Sequence, residues 1–292
     1  MIRVFELNLM KNIFLFSFIF LVTEATFSQA WIKPKGSGYS QVGYSSISSS
    51  KIYGVDNTDE QLVRVVTDQT VQGYLEYGLG NKLMITTSIP FKMLETGNDV
   101  FATNYVSDSL VAGGLNALGC VSLMGLYGIS QNTNWKSSVG LGFDTKTATF
   151  DSEIGLRTGV DAWSGLMSFN LGRGWNKFFF QATGAMKFRS NNYSSQVIAS
   201  TQFGRTIKKV QIIFGLELYK SLKNGSYDDG TSVHTGLYQN DLEFLSFSLK
   251  ANYLVNDYIK IWGFVGGGLL GQLVARAPAY ALSVSYEWNK GA

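Results

Sequence analysis

From Val71 to Ile89 the chain alternates, with Val71, Gly73, Leu75, Tyr77 and Leu79 on one face and Gln72, Tyr74, Glu76 and Gly78 on the other. After Gly80-Asn81 the alternation resumes with Leu83, Ile85, Thr87 and Ile89. A period of two puts alternate side chains on opposite sides of a pleated strand, so the segment reads as a hairpin with one apolar face. The pattern recurs to the last residues, yet nothing supplies the helices or second sheet that so much apolar strand surface needs in water. Hydrocarbon is the simplest cover, and strands in hydrocarbon must close into a barrel because an open edge leaves peptide groups unbonded.

Composition fits that reading. Charged residues are 15% of the chain and aromatics 14%, with 32 glycines and 3 prolines, a balance that favours strands and tight turns over soluble helices. The mean hydropathy of +0.05 suits strands that are apolar on one face only. The net charge of +3 is scattered, without the basic clusters of a nucleic-acid surface, so no nucleic-acid partner is expected.

The one long apolar run, Ile13 to Val22, follows Lys11 and precedes Ser28-Gln29-Ala30. A positive start, a short apolar stretch and small residues at the cut define a signal peptide. Residues 1–30 are therefore expected to be a leader cleaved after Ala30, and residues 31–292 the barrel. Cys120 is the single cysteine, so an internal disulfide is excluded.

Alternation and turn residues predict about twelve strands in an all-β, up-and-down antiparallel transmembrane barrel. Their expected spans are Ser37 to Tyr53, Gln61 to Leu79, Lys82 to Lys92, Leu118 to Ile129, Lys136 to Thr147, Thr158 to Leu171, Lys177 to Arg189, Ser194 to Arg205, Lys209 to Ser221, Leu242 to Leu254, Tyr258 to Gly271 and Pro278 to Trp288. Short connections alternate with others that include the long Glu95 to Ala117 and Leu222 to Asp241. Outer-membrane barrels keep short turns on the periplasmic rim, and an even strand number leaves both termini there. A bacterial outer-membrane location with periplasmic N- and C-termini is the resulting expectation, with outer-membrane lipids as partners.

The expected lipid face is free of charge: Val121, Leu123, Gly125 and Tyr127; Val139, Leu141 and Phe143; Trp163, Gly165, Met167, Phe169 and Leu171; Phe178, Phe180, Ala182, Gly184 and Met186; Val210, Ile212, Phe214, Leu216 and Leu218. The last strand turns Tyr280, Leu282, Val284, Tyr286 and Trp288 one way and Ala281, Ser283, Ser285 and Glu287 the other. An amphipathic final strand rich in aromatics resembles the signal read by the barrel-assembly machinery, here with Asn289 to Ala292 following. Tyr77, Tyr127, Trp135, Trp175, Tyr253, Tyr258 and Trp288 near strand ends suggest an interfacial girdle.

The segment LEYGLGNKLMITTSIPF, Leu75 to Phe91, and the stretch GGLNALGCVSLMGLYGI with Trp135 to Phe143 resemble the outer-membrane barrel family named for the meta-pathway of phenol degradation. The resemblance rests on Glu76-Tyr77-Gly78-Leu79 before the turn, on Ile89-Pro90-Phe91 closing the next strand, and on the glycine-rich start of the fourth. It covers roughly a quarter of the chain. It implies a barrel of this size that takes up small, often hydrophobic molecules. Many relatives carry an aspartate where this chain has Cys120 after Gly119.

The inward parity collects Tyr74, Glu76, Met84, Met124, Asp144, Phe179, Lys187, Arg189, Glu217, Lys250, Trp262 and Phe264, with Thr86, Ser122, Gln181, Gln211 and Glu287. Both signs of charge beside aromatics and methionines suit a narrow or partly plugged bore for a small hydrophobic or amphipathic solute, rather than a wide aqueous pore. The charges could equally be ion pairs that hold the barrel. Segment Trp31 to Lys35 could fold inward as a plug, although nothing in it requires this. A non-conducting barrel that binds a partner through its long loops is the alternative.

Catalysis is not expected. The sole histidine, His234, shares a long loop with Ser232, two residues away and with no third group to orient it. Asp228 and Asp229 supply too few oxygens for calcium and read as solvated loop residues. Gly263, Gly266, Gly267, Gly268 and Gly271 lie in a strand pattern without a P-loop lysine, which points to barrel bending rather than phosphate binding. No cofactor and no metal is expected.

Overall fold

The computed structural model describes residues 29–100, 110–132 and 134–289. The expected leader, apart from Gln29 and Ala30, lies outside the described residues. Twelve strands form a closed barrel: β1 (Gly38–Tyr53), β2 (Asp59–Gly78), β3 (Leu83–Thr96), β4 in two pieces (Gly113–Leu118 and Ser122–Ser130), β5 (Trp135–Asp144), β6 (Ser164–Trp175), β7 (Phe178–Arg189), β8 (Gln196–Ile207), β9 (Val210–Ser221), β10 (Glu243–Leu254), β11 (Ile259–Gln272) and β12 (Ala279–Trp288). Every strand pairs antiparallel with its neighbours in sequence, and β1 closes the ring by pairing with both β2 and β12. No edge remains, which is what hydrocarbon demands.

Short turns join the strands on one rim. Asn176 and Lys208 adopt positive φ (52° and 55°) in the turns after β6 and β8, the twist that tight hairpins require. The Asn256 side chain accepts from the backbone N–H groups of Tyr258 and Ile259 at 2.9 Å in the turn before β11. The long connections all lie on the opposite rim, as their parity predicts, although residues 54–58, 190–195 and 273–278 are short connections on that same rim.

The third strand runs on to Thr96 and the sixth to Trp175, four residues past their expected ends, the fifth stops at Asp144, three short, and two strands differ in kind. The sixth begins at Ser164 rather than Thr158, because Phe150–Asp151 and Leu156–Arg157 pair as a separate small hairpin in the preceding loop. The fourth reaches back to Gly113 but breaks over residues 119–121, opposite Pro90, which has no N–H to give. Loop side chains serve the stranded peptide groups: Thr158 Oγ1 donates to the Leu118 carbonyl at 2.7 Å, and Val121 N–H donates to Thr145 Oγ1 at 3.0 Å. The break takes Val121 out of regular alternation with the lipid face.

Outward residues match the expected lipid face over the regular strands. Leu141 is 65% exposed and Leu282 68%, alongside Met167, Phe169, Phe214 and Val284. Tyr77, Tyr127, Trp135, Trp175, Tyr253, Tyr258 and Tyr286 ring the outside of the short-turn rim. Trp163, the exposed residue just before β6, is separated from Trp175 by a strand length that rises roughly 30 Å at ordinary barrel tilt, enough to cross hydrocarbon. Leu141→Arg in this belt should destabilise the folded barrel by about 2–4 kcal/mol. A shifted urea midpoint for refolding into vesicles would show it, and an unchanged midpoint would contradict a lipid-facing Leu141.

The largest apolar cluster sits inside the barrel at the long-loop mouth. Ile52, Tyr53, Leu62, Val66 and Leu94 of the wall pack with Ile154, Leu156, Leu237 and Leu242 of the loops.

Candidate functional site

The twelve residues expected to line the lumen all have inward parity. Tyr74, Glu76, Met84, Met124, Asp144, Arg189, Lys250 and Trp262 are buried, and Phe179, Lys187, Glu217 and Phe264 partly so. They do not converge on one centre. They divide among a cover at the short-turn mouth, a cover at the long-loop mouth, and a cavity between them.

Residues 29–36 form the first cover, a strap across the bore. The strap leaves β1 and reaches the wall four strands away, where Ser138 Oγ on β5 donates to the Gln29 carbonyl at 2.6 Å. Gln131 holds its middle: Nε2 donates to the Ala30 carbonyl at 2.9 Å, and Oε1 accepts from Ile32 N–H at 3.2 Å. Eight extended residues reach ~26 Å, close to the roughly 24 Å backbone diameter of twelve tilted strands. Trp31 meets Phe179 edge-on with ring centroids 6.5 Å apart and occupies the space above Gly172, where a Cβ would strike the indole. Ile32, like Leu166, packs on the cluster of Met84, Met124 and Leu126. Lys33 Nζ pairs with Glu287 at 2.5 Å and lies 3.9 Å from Glu76, whose carboxylate also accepts from Tyr74 OH at 3.0 Å. The inward fold of Trp31 to Lys35 is therefore real in this structure.

The second cover is residues 222–242 with the hairpin loop 145–163. Arg157 is 1% exposed. Its guanidinium donates to Tyr193 OH at 2.9 Å and Tyr227 OH at 3.3 Å, lies over the Phe150 ring, and sits 3.7 Å from the Asp229 carboxylate. Asp229 also accepts from Asn240 N–H, at 3.0 and 2.9 Å to its two oxygens. Burial outweighs these partners and raises its carboxyl above the usual range. Asp229 is thus a structural group, not the solvated residue that its loop position suggests; Asp228 is exposed. Arg189 on β7 donates to the Ser194 and Asn240 carbonyls, fastening the cover to the wall. Lys92 on β3 pairs with Asp68 at 2.6 Å and lies 5.3 Å from the Tyr238 ring of the cover.

Interior ion pairs account for much of the expected lumen charge. Lys187 meets Asp144 at 2.5 Å, and Ser122 Oγ donates to the same carboxylate at 2.7 Å. Sequence reading missed Arg157, Lys92, Asp68 and Lys33. The only signal for Arg157 was a cation placed beside an expected strand start.

Ser232 Oγ donates to the Asp229 carbonyl at 2.6 Å, a bond directed to the backbone and not to His234. Among the described residues no group of three metal-ligating side chains comes together.

Between the covers lies a cavity of about 60 Å³, lined by Gln41, Gln72, Tyr74, Lys250, Trp262 and Phe264 among others. That is space for a few waters. Trp262 Nε1 donates to Ser285 Oγ at 2.9 Å, so its indole is fixed as one wall. Lys250 also borders a polar recess with Ser200, Gln202, Glu217 and Ser246.

A closed ring of twelve consecutive antiparallel strands, apolar outside and polar and aromatic inside, is a porin-like transmembrane barrel of the outer-membrane type. Solved structures share this fold. An outer membrane channel from Pseudomonas putida F1 matches 91% of this chain and 100% of its own, with TM-score 0.69 and 15% identity. The NanC porin matches 85% of this chain and 98% of its own, with TM-score 0.53 and 9% identity. At these identities the likeness is one of fold. No protein-family model matches the chain, and no curated protein sequence does.

Proposed function

We propose that this protein is a passive bacterial outer-membrane channel for small hydrophobic or amphipathic solutes, with both termini and the short turns in the periplasm. The observation that carries the reading is the cavity itself, where Tyr74, Trp262 and Phe264 lie beside Gln41, Gln72 and Ser283 on the inner wall of β11, β12, β1 and β2. Aromatic walls with a few polar groups favour a solute with an apolar body and one polar end. The likeness in fold to outer-membrane channels supports the location, and the motifs of Leu75 to Phe91 support the solute class. The outward residues Tyr280, Leu282, Val284, Tyr286 and Trp288 of β12, three of them aromatic, suit recognition by the barrel-assembly machinery.

The closure of both mouths favours one alternative, a non-conducting barrel acting through its loops. Uptake separates the two. Cells carrying the barrel should accumulate a labelled monoaromatic faster than cells without it, and Trp262→Ala should change that rate while leaving the folded barrel intact. Equal uptake with and without the barrel, together with zero conductance in planar bilayers, would reject transport.

A further inference from the structure

The outward short-turn rim from β6 to β9 differs from much of the long-loop rim in how its cations are partnered. On the long-loop rim Lys146 pairs with Asp161 at 3.0 Å, Lys220 and Lys223 both meet Glu243, and Arg276 meets Asp59. On the short-turn rim Arg173, Lys177, Arg205, Lys208 and Lys209 have no ion pair among the described residues. The stretches that carry them, Gly172 to Phe178 and Phe203 to Gln211, contain no acid at all.

These five cations are set at a particular depth. Trp175, Phe178 and Phe203 form one outward ring cluster, with centroids 5.6–6.3 Å apart. Arg205 lies 5.0 Å over Phe178, and Arg173 lies 5.4 Å over Trp135. Both arginines follow the outward parity of Leu171 and Phe203. Aromatic belts mark the level of lipid headgroups, so the guanidinium groups sit where phosphates lie and the three lysines of the turns just beyond. An unpaired cation at that level is stabilised by an anionic leaflet, and the attraction falls off within a Debye length.

We propose that the outward short-turn rim from β6 to β9 is a binding surface for anionic phospholipid headgroups. The rings take the acyl-chain boundary and the five cations take the phosphates. Lipids gathered there would form a fixed annulus on one side of the barrel, and this surface does not depend on what crosses the bore.

The test uses the whole folded barrel in vesicles of phosphatidylcholine mixed with brominated phosphatidylglycerol, read by quenching of tryptophan fluorescence, with brominated phosphatidylcholine as the reference. The wild type should prefer phosphatidylglycerol several-fold at low salt and lose the preference at high salt. The variant with Arg173, Lys177, Arg205, Lys208 and Lys209 all changed to Gln should bind both lipids equally while keeping its heat-dependent gel shift. If that variant does not fold, Arg173→Gln with Arg205→Gln, and separately Lys208→Gln with Lys209→Gln, should each lower the preference. No preference in the wild type, or a preference that survives these substitutions, overturns the proposal. Stronger quenching by a brominated lipid A, or full displacement by millimolar inorganic phosphate, would also overturn it by assigning the surface to another source of phosphate.

Discussion

Replacing Trp31 to Lys35 with glycine and serine of equal length should raise single-channel conductance severalfold without unfolding the barrel. The strap is held by anchors that this change removes: the Trp31 ring over Gly172, Ile32 in the methionine cluster, and Lys33 on Glu287. Burying a side chain the size of Ile32 or Trp31 contributes about 1.5–3 kcal/mol each, whereas Gly-Ser chain adds conformational freedom and no apolar area. The barrel should lose those contributions yet stay folded, since β1 keeps its ladders to β2 and β12. The replacement deletes an obstruction while retaining the tether, so an unchanged conductance would mean that the long-loop cover alone limits flow. If cleavage follows Ala30 as expected, the anchors through Gln29 and Ala30 are absent from the exported chain and those of Trp31, Ile32 and Lys33 matter more.

The opposite mouth should respond to Arg157→Met. Removing one partner from a buried charged cluster strands the rest, at a cost of about 3–5 kcal/mol. Here the substitution leaves Asp229, Tyr193 and Tyr227 without their shared donor. Only the cover loses its fastening, so the strands should keep their order while residues 222–242 open. Three kcal/mol corresponds to roughly a hundredfold rise in the open population, visible as faster amide exchange in that loop against unchanged exchange in β6 to β10. Uniform acceleration throughout the barrel would instead place Arg157 in the global core. Asp229→Asn tests the same fastening from the other side. It keeps an oxygen for Asn240 N–H and removes the buried charge that desolvation opposes, so its effect should be smaller.

The wall of this barrel was legible because period-two alternation is written locally. Leu141, Met167 and Phe214 are exposed where a soluble sheet would hide them, and Tyr74, Glu76 and Lys250 are inside, as their parity requires. The break after Leu118 was not legible, since it depends on Pro90 and on hydroxyls from Thr145 and Thr158 that reach it only in the closed barrel. The covers were still less so. Arg157 and Asp229 are separated by 72 residues, and nothing near either names the other. Trp31 to Lys35 has no periodicity, so its inward path is decided by Gln131, Ser138 and Glu287, distant in sequence. Local rules specify a strand, whereas a lumen is filled by partners that meet only after closure.

That order of events bears on the strap. Glu287, the nearest partner of Lys33, stands on β12, and Ser37 Oγ bonds to the carbonyl of Asn289. The seat of the strap is therefore completed by the last strand to be made. Until β12 pairs with β1, Lys33 lacks its Glu287 partner and Ser37 its Asn289 carbonyl, so the strap can hold only to the walls of β3 to β7. The joint that closes the ring thus also completes the seat of the mouth's cover, tying the chain's beginning to its end.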